Sequence, residues 1–120
     1  MSDELYREQI LDHYWNPRNH GTLPHPDASG EDVNPLCGDQ IRLDIVFDHD
    51  RVNEVRFSGQ GCAISQASTS MLTEKIQGMD KEHLRQLNEQ DIFDMLGVPI
   101  SPARTKCALL GWLILRKITQ

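Results

Sequence analysis

The chain has 120 residues, 38% of them hydrophobic and 25% charged, with a formal net charge of −6. That length fits one domain, residues 1–120, with one modest core, and the composition separates it from disordered chains. The acidic balance, the absence of a basic run and the few aromatics exclude an obvious nucleic-acid surface, and the longest apolar run, Ala108 to Leu115, is too short to span a bilayer. The first residues, Met1-Ser2-Asp3-Glu4, carry no basic leader and no apolar stretch, so the expectation is a cytoplasmic protein without a signal peptide.

Ser2 to Tyr14 reads as a helix. Tyr6, Ile10 and Tyr14 recur at i, i+4 and i+8, Leu11 widens the stripe, Ser2 is placed to cap it, and Asn16-Pro17 ends it. Residues 16–31, rich in Pro, Gly, Asn and His, read as ordered loop, with a short strand near Asp32-Val33. Gln40 to Asp48 alternates: Ile41, Leu43, Ile45 and Phe47 point one way, Arg42, Asp44 and Asp48 the other. Asp48-His49-Asp50 is a turn, and Val52 to Ser58 returns as the second strand of an antiparallel hairpin, with Val55 and Phe57 inward.

Gly59-Gln60-Gly61 then leads into a helix from about Ala63 to Gln77, whose small residues allow close packing on a sheet. Asp80 caps a short helix to Leu87, and Asn88 caps another to Leu96, stopped by Gly97 and Pro99. Ser101-Pro102 opens the last helix, Ala103 to Ile118, apolar nearly all round and so expected at the centre of the core. Strands followed by helices indicate an α+β fold with helices on one face of a small antiparallel sheet.

The chain contains three cysteines, an odd number that argues against a disulfide framework. Three scattered cysteines can be no more than small buried hydrophobes. Their settings point elsewhere. Cys37 sits in the turn Asn34-Pro35-Leu36-Cys37-Gly38-Asp39, where Gly38 permits close backbone approach and Asp39 can bring a carboxylate near the sulfur. Sulfur and oxygen donors together suit Zn²⁺ or a labile iron site, although Asp39 alone could equally be a turn-capping residue. Cys62 stands where a helix N-terminus begins, and free N–H groups there favour a thiolate. Cys107 is flanked by Arg104 and Lys106, cations that oppose the helix dipole but would attract a persulfide or carboxylate. No Cys-x-x-Cys occurs, so this is not a zinc finger, and a site drawn from three distant segments needs the fold to assemble it. His13, His20, His25, His49 and His83 are scattered and read as surface or loop positions.

Taken together, these segments resemble the iron–sulfur cluster assembly proteins of the IscU/SufU (NifU N-terminal-like) family over nearly the whole chain. Ile10-Leu11-Asp12-His13-Tyr14-Trp15-Asn16-Pro17-Arg18-Asn19-His20-Gly21 is similar to that family's opening motif. Asn34-Pro35-Leu36-Cys37-Gly38-Asp39, Gly59-Gln60-Gly61-Cys62-Ala63-Ile64-Ser65 and Arg104-Thr105-Lys106-Cys107-Ala108-Leu109-Leu110 match its three cysteine motifs. The resemblance implies a three-stranded antiparallel sheet with helices on one face, of SufE/NifU-like type. It implies Cys37, Asp39, Cys62 and Cys107 as ligands or sulfur acceptors, with Gly38, Arg104 and Lys106 in support. It further implies a [2Fe–2S] cluster or Zn²⁺ as the bound group, a cysteine desulfurase of SufS/IscS type as sulfur donor, and apo-proteins or carriers as acceptors. Three functions follow: a scaffold for transient [2Fe–2S] assembly, a zinc-dependent sulfurtransferase, or a structural zinc module. Lys106 stands where the IscU branch has His, and Val98-Pro99-Ile100-Ser101-Pro102 departs from that branch's Leu-Pro-Pro-Val-Lys segment, so the motifs look like SufU. The gap between Cys62 and Cys107 lacks the helical insertion usual in SufU and is close to the IscU length.

Overall fold

Three strands form the sheet: β1 (Ala28–Asn34), β2 (Asp39–Asp48) and β3 (Arg51–Gln60), antiparallel in the order β1-β2-β3. The computed structural model describes residues 3–36 and 38–119. The alternation in β2 works as expected, with Ile41, Leu43 and Ile45 buried on the inner face beside Val55 and Phe57 of β3. The register shifts between Val46 and Phe47, where the extra residue Asn53 on β3 turns Val52 inward as well. His49 and Asp50 close this hairpin, both with positive φ, the backbone of a two-residue turn whose twist matches its strands.

Strand β1 is longer than its polar sequence suggests. Its inner face carries the small residues Ala28 and Gly30, and a side chain on Gly30 would collide with Ile118 of the last helix. The close approach of that helix, not hydrophobic alternation, seats this edge strand.

The helices are α1 (Asp3–Trp15), α2 (Ala63–Ile76), α3 (Lys81–Gln86), α4 (Glu89–Leu96) and α5 (Thr105–Ile118), the last preceded by a 3₁₀ turn at Pro102–Arg104. Helix α2 packs against β3 and α5 against β1 and β2, while α1 packs on α2. The helix α5 is the central one, with Cys107 to Trp112, Ile114 and Leu115 buried. Ser68 of α2 donates its hydroxyl to the Ala108 carbonyl at 2.7 Å and ties the two central helices together. The caps of α3 and α4 fall where the sequence places them, whereas Ser101-Pro102, expected to open the last helix, opens the 3₁₀ turn instead, and Ser101 makes no side-chain capping bond. Asp80 accepts from the His83 N–H, Asn88 and Asp91 form a capping box, and Gly97 takes the left-handed conformation at φ 71°. Ser2, the expected cap of α1, lies outside the described residues.

Two side chains depart from their expected positions. Leu11 does not widen the buried stripe of α1; it is 52% exposed. His13, read as a surface or loop residue, is 3% exposed. It bridges α1 to α2 through Nδ1 to Ser70 Oγ at 2.7 Å and Nε2 to Glu74 Oε1 at 3.2 Å.

The polar side of β2 also differs from a solvent-facing one. Residues 16–27 cross the outer face of the sheet. Asn19 O accepts from Phe57 N, Gly21 N donates to Phe57 O, and Asp27 N donates to Ile45 O. Asp44 is buried beneath this crossing and accepts from Leu23 N (3.1 Å), Ser29 Oγ (2.6 Å) and Arg42 Nε (3.0 Å). Burial alone would raise its carboxyl pKa, but those hydrogen bonds outweigh it and hold the group below its ordinary value. None of the described helices is long and apolar enough to cross a membrane.

Candidate metal centre

The β1–β2 hairpin ends on the pair Asn34 and Asp39, directly opposed across the ladder. Opposed residues share a face. Both side chains therefore turn inward at the end of the sheet where the N-termini of α2 and α5 arrive. The connection between them, residues 35–38, carries Cys37, which lies outside the described residues. Gly38 has φ +70°, a conformation that disfavours any residue with a Cβ.

Asp39 is 1% exposed. Its Oδ1 accepts from the Cys62 N–H at 2.8 Å and lies 3.2 Å from the Ser65 hydroxyl. The first turn of α2 holds no acidic residue of its own, and its N-cap, Cys62, makes no side-chain capping bond. Asp39 thus supplies from the sheet the negative charge and acceptor that this helix end lacks. The alternative reading of Asp39 as a turn-capping residue is replaced by a different role: it caps the distant helix α2 and not the local turn.

The other carboxylate oxygen is the more informative. Asp39 Oδ2 is buried and has no hydrogen-bond partner among the described residues. A buried carboxylate oxygen left without a donor is costly, so something else is expected to satisfy it. Cys62 and Cys107 are beside it: a carboxylate oxygen of Asp39 and the two Sγ atoms all lie within 4.8 Å of one another. Zinc bonds to sulfur at about 2.3 Å and to carboxylate oxygen at about 2.0–2.2 Å, so three donors this close need only small side-chain movements to share one ion. The donor set therefore fits a metal.

The approach of α2 depends on two glycines. Gly59, at φ +128°, lies against the Gln40 backbone, where any Cβ would strike the carbonyl. A Cβ on Gly61 would strike the Asp39 carboxylate and the Ser65 hydroxyl. Cys62 is half-buried, whereas Cys107, in the first turn of α5, is fully buried. Arg104 stands at the N-cap position of α5 without a side-chain capping bond, Lys106 lies in its first turn, and both side chains are exposed. The sequence reading missed Asn34, whose Nδ2 donates to Cys107 Sγ at 3.6 Å, and Ser65. The signal for Ser65 was its place three residues after the helix cap, where a side chain can bond back to the cap residue; its hydroxyl is 3.1 Å from the Cys62 carbonyl.

Beside the site runs an apolar groove of about 460 Å³ between α1, the first turn of α2 and residues 98–104, with Ile10, Ile64, Val98 and Ile100 in its walls and Arg7 and Arg104 on its lining.

Comparison with known proteins places these features in a family. The NifU-like N-terminal domain matches residues 5–119. The zinc-dependent sulfurtransferase SufU of Bacillus subtilis is 43% identical, with 96% of this chain and 89% of that protein covered. That alignment runs over 133 residues, more than this chain possesses, so the relative carries residues that this chain lacks. The iron–sulfur cluster assembly scaffold protein IscU of Escherichia coli K12 is 35% identical, covering 88% of this chain and 84% of that protein. Among solved structures, an iron–sulfur cluster assembly scaffold protein of the SUF system from Fervidobacterium islandicum superimposes with a TM-score of 0.84 at 31% identity, covering both chains completely. With its sheet, its convergent helix ends and this match over nearly all its length, the chain belongs to the NifU-like N-terminal domain family.

Proposed function

We propose that this protein serves iron–sulfur cluster biogenesis, accepting sulfur from a cysteine desulfurase and acting as a scaffold for transient [2Fe–2S] assembly. The observation that carries the reading is the buried Asp39 Oδ2, without a partner among the described residues, within a Cys62–Cys107–Asp39 group. Cys37, on the connection next to Asp39, completes a set of three sulfurs and one oxygen. The cluster is the cargo of this site. Three thiolates hold iron firmly, and the carboxylate, a harder donor, is the weaker partner that eases release. Sulfur arrives when a thiolate of this chain attacks the terminal sulfur of the desulfurase persulfide. The new S–S bond forms on this chain as the desulfurase cysteine leaves as a thiolate. A thiol reductant then frees that sulfur as sulfide for the cluster, itself becoming a disulfide and restoring the thiol of this chain, and downstream apo-proteins or carriers take the product.

A second reading is a zinc-dependent sulfurtransferase, favoured by the 43% identity to a protein with that name. Zinc, when held, keeps the thiols ionised and pinned, and Cys37, Asp39, Cys62 and Cys107 are the residues that would hold it. In this reading Cys37 is the thiol that takes up persulfide sulfur, with Arg104 and Lys106 placing positive charge beside the approaching group. A structural zinc module is the third reading. Desulfurase turnover, measured with the unchanged chain and with Cys37→Ala, tests both sulfur-accepting readings. Stimulation that is lost in Cys37→Ala supports them; no stimulation by the unchanged chain leaves the structural module in their place.

A further inference from the structure

We propose that Asn34 is a positioning residue that aims the Cys107 sulfur into the centre. The proposal rests on the metal-centre reading above and adds to it a residue outside the ligand set.

Asn34 is 5% exposed, the last residue of β1 and the ladder partner of Asp39. Its amide is used at both ends. Oδ1 accepts from Leu36 N at 3.3 Å, which shapes the connection leading to Cys37. Nδ2 donates to Cys107 Sγ at 3.6 Å, an ordinary length for an acceptor as large as sulfur. The two ends are not interchangeable: a backbone N–H must meet the amide oxygen, so the NH₂ is left facing the sulfur. One opposed pair thus addresses both incoming helices, Asp39 at the start of α2 and Asn34 at the sulfur of α5.

The arrangement has two consequences. A buried amide is stable only while hydrogen-bonded, so the Asn34 donor and the Cys107 sulfur hold each other in place. A donor on a ligating thiolate also withdraws electron density from its lone pair and tunes the metal–sulfur bond. Asn34 additionally links the backbone of the connection at Leu36 to the Cys107 sulfur, since the same side chain holds both.

The test loads the full chain anaerobically with Co²⁺ and records the sulfur-to-cobalt charge-transfer absorption. Asn34→Ser is the informative variant. Its short hydroxyl can still accept from Leu36 N but cannot reach Cys107. Loss of the donor raises the sulfur lone pair, so the charge-transfer band is expected to move to longer wavelength, a change that altered packing alone does not produce. A band at the same wavelength in folded Asn34→Ser would overturn the proposal. Should that variant fail to fold, the unchanged chain loaded with NMR-active cadmium decides the matter. A through-bond correlation between cadmium and the Asn34 side-chain amide proton supports the contact, and its absence overturns it. Complete lack of a thiolate–cobalt band in the unchanged chain is a different failure. It would overturn the metal-centre reading, and this proposal with it.

Discussion

Asp39 concentrates the energetic conflict of this protein in one side chain. Oδ1 is well used, capping α2 through Cys62 N, and a cap of this kind is worth about 1–2 kcal/mol. Oδ2 is buried without a partner among the described residues, and an ion taken out of water without full compensation costs several kcal/mol. The second effect is the larger. In the metal-free chain, Asp39→Ala is therefore expected to raise stability by about 1–3 kcal/mol, despite the lost cap. Thermal melting in excess chelator measures this, and a lower melting temperature for the variant would show that the cap dominates. The sequence exposed Asp39 as a ligand candidate because a carboxylate two residues after a cysteine is conspicuous. It hid Asn34, because an asparagine before a proline reads as a turn residue, and only the ladder pairing brings its amide to a sulfur 73 positions away.

Among the elements, the α1–α2 contact hinges on His13. Ser70 Oγ already accepts from Arg18 N at 2.9 Å, so its own hydrogen is available to His13 Nδ1, which leaves the ring neutral with Nε2–H toward Glu74. Burial lowers the His13 pKa below its ordinary 6.5, and Arg18 lowers it further, against the opposing pull of Glu74 and Asp12. The sign follows from linkage. Above pH 6.5 the ring is neutral in both folded and unfolded chains, and the contact is intact. As the pH falls below that value the unfolded chain binds a proton that the folded one refuses, until the depressed folded pKa is reached. Stability is thus expected to fall on acidification from there, with a slope of up to about 1.4 kcal/mol per pH unit. Denaturant melts of the unchanged chain and of His13→Gln across that range check it: the variant should lose this part of the slope, and equal slopes would contradict the assignment. Element type was readable where periodicity was strong, as in Ile41 to Ile45 and in α5. It failed where a neighbour overrides local pattern. Strand β1 has no apolar alternation because Gly30 must admit Ile118, His13 looks polar until α2 encloses it, and Asp44 looks solvent-facing until residues 16–27 cross over it.

At the scale of the whole molecule, the fold is a device for bringing distant segments to one end of a small sheet. The hairpin delivers Asp39 and the connection with Cys37, the glycine-lined turn after β3 delivers Cys62, and the central helix delivers Cys107. The α+β architecture and the ligand candidates were legible because the three cysteine motifs are dense in turn and cap residues. That Asp39, Cys62 and Cys107 converge was legible only through the family resemblance, because their proximity depends on how α2 and α5 pack, a non-local fact that no local spacing encodes. The most direct test of the scaffold is chemical. The chain is purified anaerobically, supplied with ferrous iron, cysteine, a cysteine desulfurase and a thiol reductant, re-isolated, and assayed for iron, acid-labile sulfide and zinc alongside its visible spectrum. The scaffold predicts iron and sulfide in near-equal amounts with sulfur-to-iron charge-transfer bands, both lost in Cys62→Ala and Cys107→Ala. Tightly retained zinc, with neither iron nor sulfide on the chain, would contradict it.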